Sequence, residues 1–319
     1  MAKTRTRPTP RKAPAKGRRR PGSRKKPPPP WYQRYSWLPW AVGLGVLAIV
    51  VIALRAGQPD RPAPGVAVEN PVVGADLHSL VVDPEDPDRL YIGSHSGVSV
   101  STDGGDTWEV VGSLNGADAM GWAFTDELIL VGGHPGLSVS TDGGDSFEQR
   151  NEGLPSTDVH ALGAGDKVIY AGLAGVGTFA STDGGMTWEA RSEEVGGAFM
   201  GRIQVDPADD DHILAPDMEA GAVESTDGGL TWKALGGVQG AMWVTWESND
   251  TDHIVVTTQG SAAESTDGGE SWEPFEIPDG ASIVEFSPHD REVLYAAVLE
   301  DPNARVFISR DGGGQWEPQ

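Results

Sequence analysis

Ser101-Thr102-Asp103-Gly104-Gly105-Asp106-Thr107-Trp108 decides the fold, because it is one copy of a phrase that the chain repeats. The pattern Ser-x-Asp-x-Gly-x-x-Trp returns around Asp142, Asp183, Asp227, Asp267 and Asp311, closing on Phe147, Trp188, Trp232, Trp272 and Trp316. Successive aspartates stand 39, 41, 44, 40 and 44 residues apart. That period fits one four-stranded blade of a β-propeller. Within the phrase the carboxylate can accept nearby backbone N–H groups while glycine takes φ > 0, which makes a tight hairpin. The closing aromatic begins the returning strand and can pack between blades. One octet is a weak signal, but six in phase are a strong one.

Working outward from the first copy, Leu77 to Val82 reads as an inner strand and Asp83-Pro84-Glu85-Asp86-Pro87 as a turn. Leu90 to Ser94, Val98 to Ser101 and Thr107 to Val111 read as the second, third and fourth strands. Tyr91, Tyr170 and Tyr295 fall in register on second strands, which marks them as core. The 43 glycines and 24 prolines suit an all-β domain, and the lack of cysteine excludes disulfides and thiolate chemistry. The expectation is an all-β, six-bladed β-propeller over residues 75–319, or a seven-bladed one if Val66 to Val73 adds a strand.

The N-terminal part has a different character. Thirteen Lys or Arg lie between Lys3 and Arg34, and no acidic residue precedes Asp60. Residues 1–36 therefore read as a disordered, basic, Pro-rich cytoplasmic tail. Residues 37–54, Trp-Leu-Pro-Trp-Ala-Val-Gly-Leu-Gly-Val-Leu-Ala-Ile-Val-Val-Ile-Ala-Leu, carry no charge and are long enough for a transmembrane helix. Trp31, Tyr32, Tyr35, Trp37 and Trp40 supply an interfacial aromatic belt. The basic excess before the helix predicts a single-pass protein of the cell membrane, with a cytoplasmic N-terminus and an extracytoplasmic propeller. Residues 55–74 read as a linker. Beyond Arg55 the chain has 47 Asp or Glu against ten Lys or Arg, a field that opposes nucleic acid and anionic lipid.

Up-and-down strands put the Asp-containing turns and the Asp-Pro turns on one face, the box face. His212, His253 and His289 belong there. His78 and His160 begin inner strands, while His95 and His134 each sit eight residues before a box aspartate. All four are expected on the opposite face of three adjacent blades. Asp76 and Asp158 stand two residues before their histidines and so on the same side of the strand; Asp118 is the equivalent in the second blade. His78, His95, His134, His160, Asp76, Asp118 and Asp158 are the candidate ligand-binding residues, with Arg202 as the candidate anion-binding arginine. The four imidazoles, with carboxylates, suit a divalent transition metal or acid–base chemistry. Duplicated blades also share residues by descent, so both readings stay open.

The repeated octets resemble the Asp-box, or BNR, repeat of sialidases, sortilin-type receptors and photosystem II assembly propellers. That resemblance implies that Asp103, Asp142, Asp183, Asp227, Asp267 and Asp311 are structural turn residues remote from the active face. The Leu-His-Ser-Leu, Ser-His-Ser-Gly, Gly-His-Pro-Gly and Val-His-Ala-Leu stretches at His78, His95, His134 and His160 are also similar to bacterial propellers classed as glycosyl hydrolases. A sialidase needs an arginine cluster, a Tyr/Glu pair and an acid aspartate, and these residues do not assemble that set. The leading expectation is a binding or assembly-scaffold protein with a protein or glycan partner on the face opposite the boxes. The alternative is a glycoside hydrolase-like or metal-dependent enzyme with a His/Asp site on that face.

Overall fold

The structure, a computed structural model, describes residues 61–319. The expected tail and transmembrane helix lie outside the described residues. Among the described residues no helix is long and apolar enough to cross a membrane.

Six sheets, antiparallel apart from one added strand, follow one another along the chain, each formed by consecutive strands. Blade 1 comprises Ser79–Val82, Leu90–Ser94, Gly97–Ser101 and Glu109–Val110, close to the sequence reading. The inner strands of blades 2 to 6 are Gly121–Phe124, Val159–Ala164, Gln204–Asp206, Trp243–Glu247 and Ala281–Phe286. Blade 3 carries an extra innermost strand, Gly201–Arg202, paired in parallel with Val159–Ala164. The segment leading into blade 4 is thus split, and Arg202 belongs to blade 3's sheet. The chain is an all-β, six-bladed propeller.

The core lies between blades. Separate apolar clusters join blades 2 and 3, 3 and 4, 4 and 5, and 5 and 6, and a further cluster joins blade 1 to both neighbours. Each box aromatic packs at the seam with the preceding blade: Trp188, Trp232, Trp272 and Trp316 in the successive clusters, Trp108 and Phe147 around blade 1. Tyr91, Tyr170 and Tyr295 are buried as expected.

No blade mixes strands from the two ends of the domain, so strand exchange does not close the ring. Residues 66–74 do that work instead. Val68 bridges Trp108 of blade 1, and Val72 bridges Asn303 of blade 6. The N–H groups of Val73 and Gly74 both donate to Pro302 O (3.0 and 2.9 Å), and Ala304 N–H donates to Pro71 O (2.9 Å). This stretch forms no seventh blade, because its bridges are isolated and go to two different sheets.

Candidate functional site

The box carboxylates are consumed by their own turns. In blade 1, Ser101 Oγ donates to Asp103 Oδ1 (2.8 Å) and accepts from Gly105 N–H (2.9 Å). Asp103 Oδ1 also accepts from Thr107 N–H (2.9 Å), and Oδ2 from the Thr107 hydroxyl (2.6 Å). The same set recurs at Asp142, Asp183, Asp227 and Asp267; blade 6 lacks only the hydroxyl, because Gln315 replaces Ser or Thr. The glycine pair adopts φ of +76° and +104° in blade 1, which a side chain would strain. All six aspartates are held below the usual carboxylate range. Asp142 and Asp183 fall to about 2 because the hydroxyl and N–H of Ser146 and Thr187, and then Ser140 and Ser181, bond the ionised form.

On the opposite face the seven His and Asp candidates of blades 1 to 3 come together. Asp118 is central. Its side chain is only 5% exposed and lies among three imidazoles. Oδ1 is 3.5 Å from His78 Nε2, while Oδ2 is 3.3 Å from His95 Nε2 and accepts from His134 Nδ1 at 2.8 Å. On the blade 1 side, His78 Nε2 is 3.2 Å from His95 Nδ1 and 3.7 Å from Asp76 Oδ1. Asp76 also contacts His95 Nδ1 and accepts His95 N–H (2.9 Å). On the blade 3 side, Asp158 Oδ1 is 2.6 Å from His134 Nε2 and 2.8 Å from His160 Nε2.

Backbone chemistry holds Asp118 there. Its N–H donates to His134 O (3.2 Å), and the next N–H, of Ala119, donates to Ser94 O (3.2 Å). A Cβ on Gly133 would overlap the Asp118 carbonyl, so that glycine lets blade 2's inner segment approach its own second strand. Burial lowers the His78 imidazole despite Asp118 and Asp76. His134, half exposed, is raised by its hydrogen bond to Asp118, which with Asp158 outweighs burial. A cavity of about 230 Å³ opens beside Asp118 and His134, over Leu114, Val131 and Phe147.

Arg202 is not part of this cluster. It lines a central cavity of about 370 Å³ toward the box face, with Pro84, Asp126, Asp166, Pro207 and Pro288 of the first hairpin turns. Its guanidinium pairs with Glu285 Oε1, and Trp243 Nε1 donates to Oε2 (2.8 Å). Glu285 is buried, which pushes its carboxyl up even though Arg202 and Trp243 oppose the shift. An arginine already neutralised by a buried partner is a poor anion receptor. The remaining histidines are also engaged on the box face: His212 with Asp206 and Glu224, His253 with Glu247 and Glu264, and His289 with Asp83 O.

Sequence reasoning assigned no role to Glu285, or to the serine that opens each box. Glu285 could not be found, because its partner is 83 residues away and neither carries a motif. The serine was visible, since it stands two residues before every box aspartate.

Comparison with known proteins fits this architecture. A family model described as BNR/Asp-box repeat matches residues 179–190, the third box. No curated protein matches the sequence. A GH74 xyloglucanase from Xanthomonas campestris is similar in structure, with a TM-score of 0.54 and 17% identity over 79% of this chain and 46% of the enzyme. The present chain therefore spans under half of that enzyme's length. YCF48 bound to D1 peptide gives a TM-score of 0.52 at 16% identity, covering 81% of this chain and 85% of that one. A chain of a nidogen/laminin complex gives 0.54 at 11%, covering 69% and 88%. At these identities the likeness is one of fold. The class is the six-bladed β-propeller built from like sheets. Within that class, the third box matches the BNR/Asp-box repeat, and the other five boxes form the same serine–aspartate turn.

Proposed function

We propose that the protein is a membrane-anchored, extracytoplasmic propeller that binds a protein or glycan partner through the face opposite the Asp boxes. One observation carries this reading: seven ionisable side chains from three adjacent blades converge on that face, with His95 and His134 half exposed to solvent. The box face offers little comparable, because its aspartates are spent on turns and Arg202 is spent on Glu285. The propellers of YCF48 and the nidogen/laminin complex are named with protein partners, a precedent for the fold in binding roles. The anchor rests on the uncharged stretch 37–54 and on the basic residues before it.

The test is site-specific photo-cross-linking of the full chain in its own membranes. A cross-linking residue replaces Pro135, exposed beside His134, or Asp126, exposed on the box face. A discrete adduct at 135 that disappears with His134→Ala, and is absent at 126, supports the proposal. Adducts from 126 alone, or from neither position, overturn it.

A second reading is hydrolytic. It is favoured by the cavity of about 230 Å³ beside His134 and Asp118, which sets open space against a paired imidazole and carboxylate. Sustained turnover of chromogenic glycosides by the full chain, lost on Asp158→Asn, would replace the scaffold reading with this one.

A further inference from the structure

Blades 1, 2, 4 and 5 can be aligned by a recurring hydrogen bond in which a residue leading into the inner strand donates its N–H to the second strand, and strand register aligns blades 3 and 6 with them. It runs from His78 to Gly93 O, Met120 to Gly132 O, Met200 to Pro216 O and Met242 to Thr257 O. The residue two places earlier is Asp76, Asp118, Ala198 and Gly240 respectively; blade 3 contributes Asp158 and His160, and blade 6 contributes Gly280 and Ser282. Carboxylates occupy this position in blades 1, 2 and 3 and in none of the others. Repeat descent alone predicts no such boundary, and His95 and His134 fall inside it.

A second observation points to a cation as the ligand of this cluster. Nine buried side-chain N or O atoms among the described residues have no hydrogen-bond partner, and three of them lie at the contacts within this cluster: Asp118 Oδ1, Asp158 Oδ1 and His160 Nε2. Asp158 Oδ1 approaches two ring nitrogens at 2.6 and 2.8 Å without hydrogen-bond alignment to either. Buried polar atoms without partners are costly, and lone pairs crowded together without protons aligned between them are relieved by a metal ion.

We propose that the cluster holds two divalent transition-metal ions side by side, one on Asp76, His78 and His95, the other on His134, Asp158 and His160, with Asp118 linking them. The ligand atoms within each triad all lie within 4.8 Å of one another. For bonds of about 2.0–2.1 Å in tetrahedral geometry, ligand atoms are separated by about 3.3 Å. In the first site His78 Nε2 lies 3.4 Å from His95 Nε2, 3.5 Å from Asp118 Oδ1 and 3.7 Å from Asp76 Oδ1, near this spacing, while the direct contact of Asp76 with His95 Nδ1 is tighter and opens to admit an ion. The second is tighter and opens by about half an ångström, a shift the exposed His134 ring can make. Asp118 gives Oδ1 to the first site, while Oδ2 accepts the Nδ1–H of His134 and so leaves Nε2 free to bind the second ion. Mixed imidazole and carboxylate donors select zinc, manganese, iron or copper over calcium and magnesium.

The inference deepens the proposed use of this face but is read without any partner. Tag-free full chain in detergent is stripped with chelator, dialysed against Zn²⁺ and analysed for bound metal; Co²⁺ loading then reports coordination by visible absorption. Two ions per chain are expected. His95→Ala with Asp76→Asn leaves one, His134→Ala with Asp158→Asn leaves one, and Asp118→Asn weakens binding by about 10-fold or more. Unchanged far-ultraviolet circular dichroism shows that each variant is folded. None or one ion in the parent, or two retained in either double variant, overturns the inference and leaves the cross-linking result standing on its own.

Discussion

Replacing Val73 by Ala probes how the ring is closed. Val73 is 1% exposed and lies in the cluster that holds Leu80 and Ile92 of blade 1 with Ala304 and Val306 of blade 6. The substitution keeps the backbone bonds to Pro302 and deletes two buried methyl groups. At about 0.8 kcal/mol per buried carbon the transfer loss is about 1.6 kcal/mol, and a partly collapsed cavity raises it to about 2 kcal/mol. For a domain of this size that is a fall in Tm of about 4–8 °C. Val256→Ala, with the same atoms lost at a fully buried site of blade 5, gives a similar fall and serves as the control. The two differ in where the protein opens. Hydrogen exchange in Val73→Ala should accelerate first in Ser79–Val82 and Asn303–Ser309, the strands flanking the seam. If Val73→Ala leaves Tm within 1 °C of the parent, or exchange accelerates equally in all six blades, then residues 66–74 do not close the ring.

Three further outcomes follow from the turns and from the buried ion pair. Ser181→Ala removes the acceptor of the Gly185 N–H (2.9 Å) and the donor to Asp183 Oδ1, and should cost about 2 kcal/mol in urea unfolding followed by tryptophan fluorescence; a loss below about 0.5 kcal/mol contradicts the role given to the serine. The box aspartates have folded values below their ordinary 3.8, so their contribution is complete above that value and is lost as pH falls toward the value of about 2 for Asp142 and Asp183. The urea midpoint should therefore drop steeply between pH 4 and 2, and less steeply in Asp142→Asn; equal slopes would refute the assignment. Arg202→Ala strands Glu285 as an unpaired buried carboxylate and should cost about 3–5 kcal/mol, mostly recovered by adding Glu285→Gln; a double variant no more stable than the single one would sink that account.

The architecture was legible because it is periodic. Each box states its turn in local chemistry: a serine, an aspartate, two glycines and an aromatic within eight residues. Six copies at a blade-length spacing leave little else for the chain to be. The location of the four histidines was also readable, since alternation of strands fixes which turns share a face. Distances were not. That Asp118 sits among three rings depends on Gly133 admitting its backbone and on blades 1 and 3 converging on blade 2, which no local pattern encodes. Arg202 shows the limit most clearly. Its sequence position suggested an inner strand and a free charge, but pairing through Leu162 turned it toward Glu285 across the channel. Residues 66–74 read as linker because their apolar side chains lack strand alternation, yet Val73 is buried against both ends of the ring.

In a repeat protein, a feature present in every unit is explained by building the unit, and a feature confined to a contiguous subset needs another cause. The box serine and aspartate occur in all six blades, and their hydrogen bonds account for them completely except at Gln315. The Asp position of the opposite rim divides the ring in half, giving way to Ala198, Gly240 and Gly280. These apolar or small residues occupy the same backbone sites with the same strand hydrogen bonds at Met200 and Met242, so folding does not require a carboxylate there. Placing Asp118 out of water among half-exposed imidazoles costs stability unless something compensates it. In the proposed reading a bound cation supplies that compensation, and the two metal-stripped double variants test it: each should lose the ion on its own side of Asp118 and keep the other.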